Sequence, residues 1–448
     1  MWSKLVALYH SFYLARRTYA AGILIVLLFA SAFFLSFLLE VAKMLLLLLT
    51  IVVLFDVLII YVRRKALLAG RMCQERMSNG DDNKVVLALQ NNYLFKINIL
   101  LIDELPVQLQ ERNWERKLQL NAGEKKSIEY FIKPVERGEY QFGSIQAFVT
   151  SPLQTVQRRF SFPANETILV YPSYIQMRKY NLLAVTHQLN EAGTKRMRKI
   201  GSSVEFEQIK EYVRGDDYRT VNWKATARKA QLMVNTYVDE KSQQVFCLID
   251  KSRSMKMPFE GMRLLDYAIN SSLVLTNIAL HKQDKAGLIT FAERVDSFLQ
   301  ADRHAMQMER VLQSLYNQQT NFFDADYESL YAQIRSKIKQ RSLLILFSNF
   351  ESQYALERQL PYLKKIAHYH LLLVVFFENT EIKSLLQTEA ATTEDIYVKT
   401  IAEKFIYEKK LLVKELQKHG ILSIVTTPQQ LTVNTINKYL EIKSRQAI

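Results

Sequence analysis

Cysteine, glycine and proline are all scarce: two cysteines, 12 glycines and 8 prolines are spread through 448 residues. Cys73 lies beside a basic linker and Cys247 inside an apolar run, so neither a disulfide framework nor a thiolate metal site is suggested. The soluble part is therefore expected in a reducing compartment. So few glycines and prolines exclude collagen-like or low-complexity sequence, and no internal repeat is present. The motifs of common catalytic machineries are missing too. There is no Gly-x-Ser-x-Gly elbow, no phosphate-cradling Gly-Lys-Ser/Thr loop and no His-Glu-x-x-His helix. His368 and His370 share a face at the start of a strand without a third ligand nearby, and His187, His281, His304 and His419 are isolated. No catalytic machinery is read from the chain.

What is present is apolar and basic. A hydrophobic share of 49% and an aromatic share of 11% supply cores for two or three domains. The formal net charge is +15, with much of the excess bordering apolar segments, where anionic lipid accounts for it. No aromatic-basic recognition motif favours nucleic acid. Gly22–Leu39 holds no charge and Met44–Ile60 only Asp56, so each can cross a bilayer core of ~30 Å as a helix. The link Glu40-Val41-Ala42-Lys43 would make them a transmembrane hairpin over 19–65. Arg16 and Arg17 before it, and Arg63, Arg64 and Lys65 after it, place both outer ends in the cytoplasm. A multi-pass protein of the cytoplasmic (inner) membrane, with cytoplasmic soluble domains and no cleaved signal peptide, is expected. Asp56 is an intramembrane acid one helical face from Arg63, and a snorkelling ion pair is its expected role. Residues 1–18, with Trp2, Leu5, Tyr9, Phe12 and Tyr13 among Lys4, Arg16 and Arg17, read as an interfacial helix.

After the polar break 78–83 the pattern changes to short runs at 85–89, 95–102, 117–120, 127–132, 138–142, 145–149 and 167–170. Their spacing predicts a small β-sandwich domain over 80–172. A basic connecting segment over 173–240 leads into 241–448, where strands at 245–249, 286–291, 343–347, 371–377 and 421–425 alternate with amphipathic helices. That alternation predicts an α/β domain, a doubly wound, Rossmann-like parallel sheet covered on both faces. Val295–Leu299 reads as an antiparallel edge strand. Tyr327, Leu330, Tyr331, Ile334 and Ile338 mark one helix, and 401–419 another that stops at Gly420.

Asp250, Ser252 and Ser254 follow the apolar run Val245–Ile249, an acid and two alternating hydroxyls at the carboxyl end of a buried strand. Parallel sheets bind ligands there, and hard cations take such oxygens. The cluster closely resembles the metal-ion-dependent adhesion site of von Willebrand factor type A domains. That resemblance implies Mg²⁺, or Mn²⁺, as cofactor, with Thr320 completing the site from a second loop and Asn349 standing where an aspartate is expected. The second loop lacks the family's usual glycines. Asp324 or Asp326 could replace the missing carboxylate, with an N-terminal helix cap the plainer role for either.

Upstream, residues 205–228 carry Tyr212, Gly215, Asp216, Arg219, Trp223, Lys224 and Arg228 in a pattern similar to the signature of the bacterial domain-of-unknown-function 58 family. Lys210 stands where that signature has arginine. Arg137-Gly138-Glu139-Tyr140 and Val170-Tyr171-Pro172 look like the family's β-domain landmarks, whereas Ser151-Pro152-Leu153 departs from its Asp-Pro-Phe-Gly. The resemblance implies two N-terminal membrane helices, a β-rich domain and a terminal von Willebrand type A-like domain. It also implies a partner, since members are commonly encoded beside MoxR-type AAA+ ATPases. Read physically, 215–217 is a turn into a helix whose Trp223 anchors it on the sheet, and Leu232–Val238 lies at the sheet edge. Arg219, Lys224 and Arg228 fall near one helical face. They either pair with Glu205, Glu207, Glu211 and Asp217 to lock the segment down, or form a basic ledge that engages a partner.

The expectation is a membrane-anchored adaptor, not an enzyme, working with such an ATPase in assembly of membrane or envelope complexes, by metal-bridged docking. The rival classes are a metal-dependent hydrolase, which needs a base the sequence does not nominate, and a membrane-associated nucleic-acid-binding protein.

Overall fold

A computed structural model describes residues 9–63, 65–111, 114–177, 205–213, 216–238, 242–350, 352–387 and 392–445. The chain divides into two compact units, Met1–Tyr171 and Pro172–Ile448.

The first unit opens with helices Arg16–Ser31 and Phe37–Tyr61 packed on each other. Only Phe37–Tyr61, among the described residues, is long and apolar enough to cross a membrane. This corrects the expectation of two spans. Arg16–Ser31 has 16 residues and rises about 24 Å, short of the ~30 Å apolar core. The turn falls at 32–36, where the Ser31 hydroxyl bonds back to the Leu28 carbonyl at 2.9 Å. The supposed link is instead helical, because Lys43 pairs with Glu40 one turn earlier at 2.8 Å.

Asp56 does not pair with Arg63, whose guanidinium donates to the Asn92 carbonyl. Its carboxylate is fully buried and accepts from the Ser151 hydroxyl at 2.6 Å, the Thr155 hydroxyl and the Thr155 amide at 3.3 Å. The acid therefore fastens the helix to a turn of the β-rich region. An aspartate at 151 would face it with like charge, which suits the serine found there. Asp56→Ala should leave these donors without their acceptor and cost on the order of 2 kcal/mol. Hydrogen exchange of amides 151–156 in a lipid nanodisc checks this: protection should fall there, and unchanged protection would contradict it.

Ten strands from Leu67 to Tyr171, with Phe12–Leu14, build sheets of five, three and three strands around one core. Phe12–Leu14 pairs antiparallel with Val156–Arg158, so that part of the expected interfacial helix is a strand; Trp2 and Leu5 lie outside the described residues. The sequence pattern missed Leu67–Met72, Arg76–Ser78 and Val156–Phe162, each of which carries arginine. Arg71 is the reason for the first. Its guanidinium is buried and ion-paired with Asp103, and it donates to the carbonyls of Ala164 at 2.8 Å and Gly143 at 3.1 Å. The Tyr130 hydroxyl donates to the same Asp103. Burial and Asp103 push that phenol up, so it stays a donor.

The second unit centres on a six-stranded sheet. We number its strands β1 (Gln244–Asp250), β2 (Lys285–Phe291), β3 (Val295–Asp302), β4 (Leu343–Phe347), β5 (Leu371–Phe377) and β6 (Leu422–Thr426). Their order is 3-2-1-4-5-6, all parallel except β3, which runs antiparallel at the edge. Its helices are α1 (Leu264–His281), α2 (Gln307–Tyr316), α3 (Tyr327–Lys337), α4 (Gln353–Tyr369), α5 (Thr380–Gln387), α6 (Thr393–Lys418) and α7 (Leu431–Ser444). The chain is thus mixed α/β.

Alternate residues of β1 feed two cores. Val245, Cys247 and Ile249 meet α1, α2 and α7 on one face, and Phe246 and Leu248 meet α3, α4 and α6 on the other. Both faces are covered at the centre, so β1, β4 and β5 read as continuous apolar runs rather than alternating ones. Helix α6 begins before the expected Ile401, at a capping box of Thr392 and Asp395 that the sequence reading passed over. Its exit at Gly420 takes a left-handed φ of 71°.

Leu232–Val238 is not an edge of this sheet. Met233–Val238 pairs with Glu205–Glu211 in a separate two-stranded ribbon. The charges at 205, 207, 210 and 211 hid the partner strand. Of the connecting segment, 178–204 lies outside the described residues, as do Arg214 and Gly215 of the signature.

Candidate functional site

Strand order reverses between β1 and β4, and the carboxyl ends of such neighbours splay into a crevice. Asp250 ends β1 there, and Ser348 and Asn349 follow β4. The loop between α2 and α3 closes over them. Thr320 Oγ1 donates to the Lys251 carbonyl at 2.8 Å, and the Arg253 amide donates to the Phe323 carbonyl at 3.2 Å. Ser252 and Ser254 hydroxyls bond each other at 3.1 Å, and Asn349 Nδ2 reaches the Ser254 carbonyl at 3.5 Å. The structure therefore brings Asp250, Ser252, Ser254, Thr320 and Asn349 to one rim.

Inside that rim the polar atoms satisfy one another. Asp250 is 2% exposed. Its Oδ1 accepts from the Ser252 amide at 2.8 Å, and its Oδ2 from Ser348 Oγ at 2.7 Å and Tyr327 OH at 3.3 Å. Burial pushes the Asp250 carboxyl up, against the opposing pull of these donors. Burial, then Asp250, push the Tyr327 phenol well up, so it keeps its proton. The sequence reading missed Ser348 and Tyr327. Ser348 directly follows a strand and was legible; Tyr327 looked like one more apolar contact of α3.

A raised carboxyl means that the folded state holds this proton to higher pH than the unfolded chain does. Asp250 therefore subtracts stability as pH rises through that interval. Asp250→Asn removes the effect. Its melting temperature should exceed that of the parent near pH 7 and match it near pH 3, below the unfolded carboxylate range. A variant less stable than the parent near pH 7 would contradict this, and would point to an anionic Asp250 held by a cation.

The fit to a divalent cation is uneven. Asp250, Ser252 and Ser254 offer suitable oxygens. Asn349 does not, because its Oδ1 accepts from the Lys409 ammonium at 2.5 Å, which also donates to the Phe350 carbonyl at 2.7 Å. A second ammonium, Lys251, follows Asp250 in sequence, pairs with Asp296 at 2.6 Å and donates to the Gln319 carbonyl at 3.1 Å. The fifth position already faces a cation, so the five residues do not fit a complete divalent-cation cage. Among the described residues, neither Asp324 nor Asp326 supplies the missing charge. Asp326 caps α3 through the Glu328 and Ser329 amides, at 2.9 Å and 3.1 Å, and Asp324 is exposed. Where glycine is missing, Phe322 takes a left-handed φ of 58°. That backbone costs roughly 1–2 kcal/mol, offset by ring contacts with Lys256 and Arg263 at 5.8 and 5.5 Å.

The signature segment departs from its expected packing. The α-helix is short, Trp223–Lys229, and Asn222 rather than an aspartate caps it, accepting from the Ala225 amide at 3.0 Å. Asp217 instead caps the single turn Tyr218–Thr220. Arg219 belongs to that turn, so only Lys224 and Arg228 share a helical face. Lys210, standing for arginine, pairs with Asp216 at 2.9 Å and holds that carboxyl below its usual range. Trp223 is no anchor: it is 74% exposed, and Tyr218 is 72% exposed. Arg219 lies 5.8 Å from the Tyr218 ring centre. Among the described residues none of Arg219, Lys224 and Arg228 is in a salt bridge. His370 is buried with its pKa lowered by burial and by Arg335 and Arg341, and no group of three potential ligand residues among the described residues could hold a metal ion.

The family described as Protein of unknown function DUF58 matches residues 208–387, which span the ledge and the rim. Uncharacterized protein YeaD of Bacillus subtilis (strain 168) is 25% identical over 204 residues, 44% of this chain and 51% of that protein. The chain thus spans about half the length of this curated relative. Among solved structures, the conserved hypothetical protein BatB from Bacteroides thetaiotaomicron aligns at 15% identity. The alignment takes in 46% of this chain and 100% of that one, with a TM-score of 0.31. The CARDB domain of PF1109 from Pyrococcus furiosus aligns at 13% identity over 23% of this chain and 94% of that one, with a TM-score of 0.17.

Proposed function

We propose that this is a membrane-anchored adaptor that captures a protein partner on the ledge of Tyr218, Arg219, Trp223, Lys224 and Arg228. The observation that carries the reading is the exposure of Trp223 and Tyr218 beside three cations that, among the described residues, make no salt bridge. Trp, Tyr and Arg dominate binding energy at protein interfaces, and a large aromatic left in water gains most from being covered. The sheet order with its antiparallel edge strand, and the acid and hydroxyls at its rim, support a von Willebrand type A-like reading of the α/β unit. The Phe37–Tyr61 helix supports anchoring, and we place the anchor in the cytoplasmic membrane with both soluble regions in the cytoplasm. The partner we favour is a MoxR-type AAA+ ATPase, on the resemblance of the signature, with the complex serving assembly or maturation of membrane or envelope complexes.

Docking is preferred to catalysis because the rim is turned inward. Both Asp250 oxygens accept from protein donors, and the Tyr327 phenol keeps its proton, so neither is poised as a base. The test is capture of the ATPase by the full chain in nanodiscs, with and without EDTA. The proposal expects specific capture that survives EDTA. Capture abolished by EDTA and by Asp250→Asn would establish a Mg²⁺ or Mn²⁺ bridge instead, and no capture at all would refute the partner.

A further inference from the structure

Helix α6 carries an apolar surface that the described residues do not cover. Ala402, Leu412 and Leu416 are buried toward the sheet, while Val398, Ile401 and Phe405 stand exposed at successive turns. That stripe runs into a groove of about 860 Å³ at the carboxyl edge of the sheet. Its walls include Phe377, Val425, Ile406 and Val413, and α6 adds Lys409, Lys410 and Lys414 against a single acid, Glu378. Lys410 and Lys414 are exposed and, among the described residues, carry no ion pair.

We propose that this groove binds an acidic amphipathic helix of a protein partner, a reading that rests on the docking function and names the chemistry of what docks. The length of the surface favours a helix over a small amphiphile. From Val398 to Gln417 it extends about 30 Å along α6, at ~1.5 Å per residue. The occupant would set apolar residues at i, i+3, i+4 and i+7 against Ile401, Phe405 and Val413, and acids beside Lys410 and Lys414. Its sign is chosen by the lysines, since like charges across such an interface are excluded. The groove lies beside Asn349, which also lines it, so an occupant would sit against the rim.

The test uses the full chain in nanodiscs, because detergent would fill the groove. The probes are two fluorescent helical peptides of about 18 residues with the same leucine face, one flanked by glutamates and one by lysines. The glutamate peptide should bind at least tenfold tighter than the lysine peptide. Lys410→Glu with Lys414→Glu should reverse that preference, and Phe405→Ala should weaken the glutamate peptide roughly tenfold. Trp223→Ala should leave peptide binding unchanged. Equal binding of the two peptides, or no binding of the glutamate peptide, would overturn the groove proposal while leaving ATPase capture at the ledge to stand or fall separately. Loss of peptide binding in Trp223→Ala would overturn the separation of the two surfaces.

Discussion

Replacing Arg71 with methionine should destabilise the first unit by about 3–5 kcal/mol, the usual consequence of leaving one member of a buried ion pair behind. Arg71 and Asp103 have fully buried side chains, and the guanidinium joins strands of all three sheets. Its neighbours are Asp103 on the five-stranded sheet, the Phe142 ring 4.7 Å away on a second, and its own strand on the third. Without it, Asp103 keeps the Tyr130 hydroxyl but loses its counter-charge. Arg71→Met combined with Asp103→Leu removes the orphaned charge and should recover at least half of the loss. Hydrogen exchange of amides 97–103 reads both. Equal destabilisation by the single and double variants would show that packing, not charge, holds the sheets together.

The second large effect is on binding. Trp223→Ala with Arg219→Ala should weaken ATPase capture at least about a hundredfold, because truncating central aromatic and arginine contacts costs roughly 2 kcal/mol or more each. Both side chains are exposed, so the melting temperature should stay within about 1 °C of the parent. A fall in stability matching the loss in binding would mean the tryptophan packs within the chain after all.

Legibility in the sequence followed burial. The central strands β1, β4 and β5 are nearly unbroken apolar runs because both of their faces are covered, so they were readable almost to the residue. Strands that use charge for structure were not. Arg71 in Leu67–Met72 and Arg158 in Val156–Phe162 look like linker cations, yet Arg71 is buried against Asp103 and Arg158 lies 4.5 Å from the Tyr61 ring centre. The two apolar N-terminal helices show a related limit. Hydropathy gave the apolar stretches but not the turn, since Glu40 and Lys43 neutralise each other within a helix. At the rim, Asp250, Ser252 and Ser254 were legible from type and spacing, and Thr320 only through the family resemblance. Lys409 was not, because it arrives from a helix about sixty residues away and its charge reads as a solvated face.

Footprinting by hydroxyl radicals tests the docking account most directly, by comparing oxidation of Trp223 and Tyr218 in the free full chain and in its ATPase complex. Several-fold protection of both residues on complex formation is the expected result. Oxidation of Trp223 as fast in the complex as in the free chain would contradict it, because the aromatic said to be covered by the partner would still lie in water.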